Sequence, residues 1–458
     1  MLDQSFSAEN FFRIFHVENR KGTFNRDLLS EEYLLVHEKV KHLFSERSRL
    51  GKNEFKIALT DLNDQKDEAL KKHLQIISES CNSRSFKFKL SKTILDGKEL
   101  FTVNHDPSSF FAMKQLQFNI HRTFKVKQSN RYELVKQLRI LLEDGFPKIL
   151  IRIDIRGFYE SIPQDSLVSK IEENQLLNYH SKRLLKSLIY SYEQSKDTKL
   201  SKPSYGVPRG VGASAYLSEL YMRDIDSAMK SLGDLCYYSR YVDDAVFIFI
   251  PRSKDKIANY LQYIKDILAA HHLALKDGSD GGSNKVFSID FFSQSANYDF
   301  DFLGYKFIIE NRRLTELRLS KNKTEKYARR LKISVDEYNK TSKYNEKKAR
   351  ALLIKRIKFL TGNFHLVNNK KRIKSGIYYS NILIKDNKLV SKEFKELDLV
   401  MIDCLDKLNP NPNLQVNAST LKKKIIGRYS FHEGFYSHAG RFHGFTDVEL
   451  NEIVYPWK

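Results

Sequence analysis

The sequence predicts an α+β fold. Three observations carry the prediction: helix-spaced apolar residues near the N-terminus, a middle section of short apolar strands with hairpin signals, and a Lys-rich C-terminal third of mostly helical character.

From Glu9 to about Ile76, apolar positions recur three and four apart among charges, as in Glu31-Glu-Tyr-Leu-Leu-Val-His-Glu-Lys-Val-Lys-His-Leu-Phe. Residues 85–104 alternate instead. Ser85-Phe-Lys-Phe-Lys-Leu precedes an Asp96-Gly turn and Glu99-Leu-Phe-Thr-Val follows it, which predicts a β-hairpin. Residues 114–142 carry His121, Arg122, Lys125, Lys127, Arg131, Lys136 and Arg139, and lead into Ile149-Leu-Ile-Arg-Ile-Asp-Ile, a buried strand ending on an acid. A helical stretch from Gln164 to about Gln194, a loop at Pro203-Ser-Tyr-Gly-Val-Pro-Arg-Gly-Val-Gly and a helix from Ser214 to Leu232 come next. Cys236-Tyr-Tyr-Ser-Arg-Tyr-Val-Asp-Asp-Ala-Val-Phe-Ile-Phe-Ile is a hairpin signal with two carboxylates at its turn. A helix at about 254–272, a Gly/Ser/Asp-rich turn at 277–284 and a strand pair near Phe302-Leu-Gly-Tyr-Lys-Phe-Ile-Ile-Glu complete this section. The remainder, about 320–458, is predicted to be predominantly helical, with a short irregular end.

At 458 residues the chain exceeds one ordinary domain, and 9 prolines and 19 glycines leave little room for disordered linkers. Lys and Arg number 78 against 56 Asp and Glu, so a formal charge of +22 favours a polyanionic partner, nucleic acid first. The plainer alternative is a merely soluble basic protein. Cys81, Cys236 and Cys404 are scattered, with neither metal-ligand spacing nor a disulfide framework, which fits a reducing cytosol. The N-terminus lacks a basic stretch followed by an apolar one, and no run approaches the ~18 apolar residues of a membrane span. A soluble, unprocessed, cytoplasmic protein with no membrane partner is expected.

Asp154 closes one apolar strand, while Asp243 and Asp244 sit between two others, and strands can bring such positions to one end of a sheet. Mg²⁺ takes hard oxygen ligands and keeps several waters, so carboxylates from separate segments plus substrate phosphates suit a two-ion site. There one ion lowers the pKa of a primer hydroxyl and both stabilise in-line displacement at phosphorus. An isolated Asp-Asp pair, however, is ordinary turn chemistry.

The surroundings of these acids resemble the reverse-transcriptase family segment by segment, over about residues 110–310. Ile153-Asp-Ile-Arg-Gly-Phe-Tyr-Glu-Ser-Ile resembles the first catalytic motif. The resemblance makes Asp154 the first metal ligand and Tyr159 the aromatic gate against which a ribose 2′-OH would clash. Tyr205-Gly-Val-Pro-Arg-Gly-Val-Gly-Ala-Ser resembles the second motif, whose backbone approaches the incoming nucleotide, and so implicates Pro208, Arg209 and Gly210. Arg209 stands where Gln is common in retroviral and intron relatives. Tyr241-Val-Asp-Asp is the signature tetrapeptide, and the implied metal set is Asp154, Ile155, Asp243 and Asp244. Lys285 is similar to the lysine that protonates the leaving pyrophosphate, a solvated surface lysine being the plainer reading. Phe302-Leu-Gly-Tyr resembles the primer-grip hairpin, which assigns Phe302, Leu303, Gly304 and Tyr305, with Tyr241, to primer and template. Arg122, Lys125 and Arg131, with Lys127, are expected to hold triphosphate or template phosphates.

The implied architecture is a right-hand polymerase. Residues 1–84 form a helical N-terminal section, 85–150 fingers, 151–310 a palm with an antiparallel sheet and interleaved fingers elements, 311–400 a helical basic thumb, and 401–458 a C-terminal extension. Lys321, Lys323, Arg329, Arg330 and Arg356 are expected on a thumb face that follows the duplex backbone. The segment from Arg428 to His443 mixes three histidines with aromatics, suited to RNA stacking, or more plainly to packing. Its histidine spacing matches no familiar metal-ligand set.

Within the family, Asn130-Arg-Tyr-Glu-Leu-Val-Lys-Gln-Leu, Phe158-Tyr-Glu-Ser-Ile and Leu217-Ser-Glu-Leu-Tyr look most like the bacterial abortive-infection and unknown-group defence reverse transcriptases. This implies an RNA-directed DNA polymerase of anti-phage defence that adds deoxynucleotides with two Mg²⁺ ions, or Mn²⁺, on a dedicated non-coding RNA to give a DNA product. The further partner implied is a second such polymerase, as in the type 3 system that pairs two, or self-association into an oligomer. Two rivals stand beside this reading: a retron- or intron-type retroelement enzyme, and a catalytically silent RNA-binding scaffold. Three acids and an intact tetrapeptide argue against the scaffold. The template, the primer, and templated against untemplated synthesis stay open.

Overall fold

The computed structural model describes residues 2–20, 24–95, 97–197, 202–253, 257, 259–279, 283–292, 297–366, 373–384, 392–409, 417–437 and 442–457. The chain forms two units, Met1–Ser129 with Leu150–Ser288, and Asn130–Ile149 with Ile289–Lys458. These divide the chain differently from the five expected segments. The helix Arg131–Glu143, expected within the fingers, belongs to the second unit.

In the first unit, the predicted N-terminal helices are Ala8–Arg20, Glu31–Ser45 and Lys52–Asn82, with Ser30 capping the second by accepting from the Tyr33 amide. They pack with helix Pro107–Phe124, which starts on an Asp106 cap with proline at its first turn. Buried Asn119 donates to the Gln4 carbonyl and to Ser181 Oγ, and accepts from Gln115, so the N-terminal segment and helix Tyr179–Ser195 share one satisfied polar core. The predicted hairpin is Leu90–Leu95 paired antiparallel with Lys98–Val103; Asp96 of its turn lies outside the described residues.

The sheet that carries the acids runs in the order Leu235–Tyr241, Asp244–Phe249, Ile149–Asp154, Phe287–Asp290, the last strand contributing Phe287 and Ser288 to this unit. Its central strands are buried on both faces: Ile151, Ile153, Val246, Phe247 and Phe249 are each at most 2% exposed. Helix Ser214–Lys230 packs on the first strand and on helix Tyr260–Ala270. Parts of the helix expected at 254–272 and of the turn expected at 277–284 fall outside the described residues.

In the second unit, the strand pair expected near Phe302 is a three-stranded antiparallel sheet: Tyr298–Phe302, Tyr305–Glu310 and Arg313–Leu319. Helices Lys321–Thr341 and Glu346–Thr361 pack together after it, and Lys392–Leu405 lies against the first. The C-terminal third is less purely helical than expected. Asn363–Leu366 pairs antiparallel with Ile373–Gly376 and parallel with Phe442–His443. Phe364, Phe445 and Ile453 make a local core there, with Phe359 and Trp457 packed on it.

Arg356, expected on the basic face, is 3% exposed and donates to the Ile453 and Glu452 carbonyls, so it closes the C-terminal helix Asp447–Val454 from within. Lys321 and Arg329 stay exposed, whereas Arg330 is half-buried over the Trp457 ring. No helix among the described residues is long and apolar enough to cross a membrane.

Candidate active site

A buried charge needs a partner. Asp154, the last residue of strand Ile149–Asp154, is 6% exposed, and Lys285 Nζ donates to its Oδ2 at 2.8 Å. The next amide, Ile155, donates to the Asp243 carbonyl at 2.9 Å, and Lys276 donates to the Asp154 carbonyl. The two-residue turn between Tyr241 and Asp244 is thereby tied to the end of the neighbouring strand.

At that turn Val242 has φ +61°, a left-handed conformation that a β-branched residue adopts only under constraint, at a cost of about 1–3 kcal/mol. The turn aims Asp243 and Asp244 differently. Arg152, two residues before Asp154, grips Asp244 through Nε and Nη2, both at 2.9 Å. Burial raises the pKa of Asp243, and the Asp154 charge adds to it. Burial likewise raises that of Asp244, with Asp154 and Asp243 adding to it and Arg152 opposing.

Facing this corner is the loop of the second motif. Gly206 donates to the Ile162 carbonyl at 2.7 Å and Val207 to that of Tyr159 at 2.9 Å, so the loop lies along residues 159–162. Gly206 has φ +91°, and a Cβ there would sit 3.2 Å from Glu160 Cα. Buried Pro208 accepts from Ser214 Oγ. Arg209 is held by Glu160 through Nε at 2.9 Å and Nη2 at 3.0 Å, with its guanidinium 5.2 Å from the Tyr159 ring centroid. Its carbonyl accepts from the Phe101 amide at 2.7 Å, which joins the Lys98–Val103 strand to the loop. Between them lies an open cavity of about 560 Å³, lined by Tyr159, Arg209, Gly210, Lys98 and Leu100 among others.

Asp154, Ile155, Asp243, Asp244, Tyr241, Lys285, Tyr159, Pro208, Arg209 and Gly210 therefore all fall in the first unit, at the acid corner or along this loop. Arg122 and Lys125 do not line the cavity; Arg122 lies over the Phe118 ring and Lys125 forms the left-handed end of its helix. In the second unit, Phe302 and Tyr305 pair across a turn formed by Leu303, φ +47°, and Gly304, φ +76°. Their rings are buried, so the turn presents Leu303 and Gly304. Arg131 donates to the Leu303 carbonyl at 2.7 Å and fills the space that a Cβ on Gly304 would need. In the terminal segment, His438 lies outside the described residues, His432 packs on Tyr436, and His443 sits in a small polar cavity with Arg428 and Tyr429.

Sequence reasoning missed Arg152, Glu160 and the partners of Arg240. Arg240 is 7% exposed and spends all five guanidinium N–H groups: on Asp226 at 2.9 and 2.7 Å, on Glu219 at 3.1 and 2.7 Å, and on the Val242 carbonyl at 2.9 Å. A single cation inside each apolar strand was the available signal.

Carboxylates gathered at the joined ends of two neighbouring strands, next to a Gly/Pro loop, suit the metal-assisted nucleotidyl transfer of a polymerase. The family comparison makes this particular: residues 109–307 match the model described as reverse transcriptase (RNA-dependent DNA polymerase). Residues 109–307 thus carry a reverse-transcriptase domain within a mixed helix-and-sheet fold, which marks an RNA-directed DNA polymerase, a nucleotidyltransferase. Among solved structures it is similar to apo telomerase from Candida tropicalis truncated from its C-terminal domain. That match has 14% identity and a TM-score of 0.35 over 61% of this chain and 73% of that one. Telomerase from Candida albicans with a fragment of telomeric RNA matches at 12% identity and a TM-score of 0.35, over 76% of this chain and 62% of that one. No curated protein matches the chain.

Proposed function

We propose that the protein copies a dedicated non-coding RNA into DNA by two-Mg²⁺ nucleotidyl transfer, as part of bacterial anti-phage defence. The meeting of Asp154 and Asp243 at the joined ends of two neighbouring strands carries the chemical part of this reading.

The donor set fits a hard divalent ion. Burial and mutual repulsion disfavour the charges of Asp243 and Asp244, a state that a cation relieves. No group of three or more His, Cys, Asp or Glu among the described residues is arranged to hold a metal by itself. Mg²⁺ is usually bound by one or two carboxylates with substrate phosphates completing the shell. Asp154 and Asp243, with the main chain at Ile155, would hold it, and Asp244 would contribute where Arg152 releases an oxygen. Bound there, the ions supply activation of the primer hydroxyl and charge stabilisation at phosphorus.

The remaining roles fall to side chains. Tyr159 floors the cavity where a sugar edge would lie and excludes a 2′-OH. Arg209 and Lys98 offer positive charge to the triphosphate. Lys285 Nζ, on Asp154, carries the proton available to the leaving pyrophosphate. The defence role rests on the residue patterns Asn130–Leu138, Phe158–Ile162 and Leu217–Tyr221, and the nucleic-acid partner on the family match and the +22 charge.

The test is to purify the protein with its bound RNA, add Mg²⁺ and labelled deoxynucleotides, and sequence the product. Wild type should yield DNA complementary to the bound RNA, and Asp243→Ala/Asp244→Ala none. DNA unrelated to that RNA would shift the reading to untemplated synthesis, and no DNA at all to an RNA-binding scaffold.

A further inference from the structure

We propose that Arg240 is a positioning residue for the polymerase reaction: held by Glu219 and Asp226, it fixes the left-handed Val242 and so aims Asp243 at Asp154. The inference rests on the polymerase reading and adds a residue that this reading leaves unassigned.

The geometry leaves Arg240 little other purpose. Glu219 and Asp226 stand two turns apart on one face of helix Ser214–Lys230, and each carboxylate takes two guanidinium hydrogens. Tyr238 braces Asp226 from the same strand as Arg240, donating to Oδ1 at 2.7 Å. The fifth donor reaches the Val242 carbonyl, the peptide that leads directly into Asp243. Val242 has no intrinsic reason to stay at φ +61°. Arg240 holds the carbonyl before Asp243, and the Ile155 amide holds the carbonyl of Asp243 itself. The turn is therefore clamped on both sides of one residue, with the helix as the fixed body.

Lysine at 240 keeps the charge and loses the fork, since an ammonium has three donors on a flexible stem and cannot serve two carboxylates and a carbonyl together. Misplacement of a reacting group by about 1 Å costs on the order of 100-fold in rate. Arg240→Lys should therefore lower kcat about 100-fold with little change in the deoxynucleotide KM. Val242→Gly supplies the decisive control, because glycine takes the left-handed conformation without help. In the Arg240→Lys background, Val242→Gly should restore at least tenfold of the lost kcat.

A second arm needs no synthesis. Mn²⁺ binding to the resting protein, read by electron paramagnetic resonance, should weaken in Arg240→Lys and recover in the double variant, with the folded fraction of each checked by circular dichroism. Failure of the double variant to recover either readout, or Mn²⁺ binding by folded Arg240→Lys equal to wild type, would overturn the assignment. Absence of synthesis by wild type would overturn the polymerase reading instead, while the Mn²⁺ arm still decides on Arg240.

Discussion

Arg209 and Glu160 are joined by two parallel hydrogen bonds of 2.9 and 3.0 Å, and the guanidinium so held lies over the Tyr159 ring. The departure noted at position 209 is thus a built feature: the charge next to the cavity is fixed in direction. Arg209→Gln removes the fork and the charge and leaves Glu160 without these two bonds. A charged hydrogen bond to phosphate is worth about 1.5–3 kcal/mol, so the deoxynucleotide KM should rise at least about tenfold. Steady-state kinetics against dNTP concentration would show it; an unchanged KM would remove Arg209 from the triphosphate.

Asp243 and Asp244 should separate in stability although the proposed reaction uses both. The pKa of Asp243 is raised by burial and by Asp154, so its charge works against the fold at neutral pH. Without divalent ions, Asp243→Asn should raise Tm by about 1–2 °C, the shift that about 1 kcal/mol gives in a chain of 458 residues. Asp244→Asn gives similar relief from burial but leaves Arg152, 16% exposed, without its bidentate partner, so it should be less stable than Asp243→Asn by about 1–3 kcal/mol. Thermal unfolding in EDTA checks both signs.

Lys323 makes stability depend on alkaline pH. Burial, with the Arg131 and Lys326 charges, lowers its pKa from 10.5 to about 7. Its Nζ donates to the Ser380 carbonyl at 3.1 Å and sits 4.9 Å from the Tyr305 centroid. Below pH 7 both folded and unfolded chains hold the proton, and the fold bears the cost of the buried charge. Between about 7 and 10.5 the folded chain releases it first, so this residue makes stability rise with pH across that window. Lys323→Met should flatten the slope and raise stability at pH 7, measured by urea unfolding at pH 7 and pH 9.

Arg356→Ala should act on the fold and not on nucleic-acid binding. It leaves the Ile453 and Glu452 carbonyls without their donor and opens space beneath the C-terminal helix, a loss of about 2–4 kcal/mol. The salt dependence of RNA binding should keep its slope, because no phosphate contact is lost. A shallower slope would return Arg356 to the nucleic-acid face.

Much of the acid corner was legible because its signals are local. An apolar run ending on Asp154 and two β-prone arms around Asp243 and Asp244 announce strands without help from elsewhere. The ion pairs were not: Arg152 meets Asp244 across 92 residues and Arg209 meets Glu160 across 49, and one sequence carries no record of such pairing. The strand Arg313–Leu319 alternates only at its end, in Glu-Leu-Arg-Leu, because Leu314 falls out of step with Leu317 and Leu319. Asn363–Leu366 and Phe442–His443 are too short to show a period and exist through each other. Arg356 looked like its exposed neighbours because helical spacing does not mark which face a later helix will cover.

The bond from the Phe101 amide to the Arg209 carbonyl makes the hairpin and the glycine loop a single lever. Gly210, at φ +96°, comes so near that a Cβ there would lie 2.7 Å from the Phe101 carbonyl. Hairpin and glycine loop therefore make one continuous wall of the cavity, which reaches Leu95 near the hairpin tip, far in sequence from Asp154, Asp243 and Asp244.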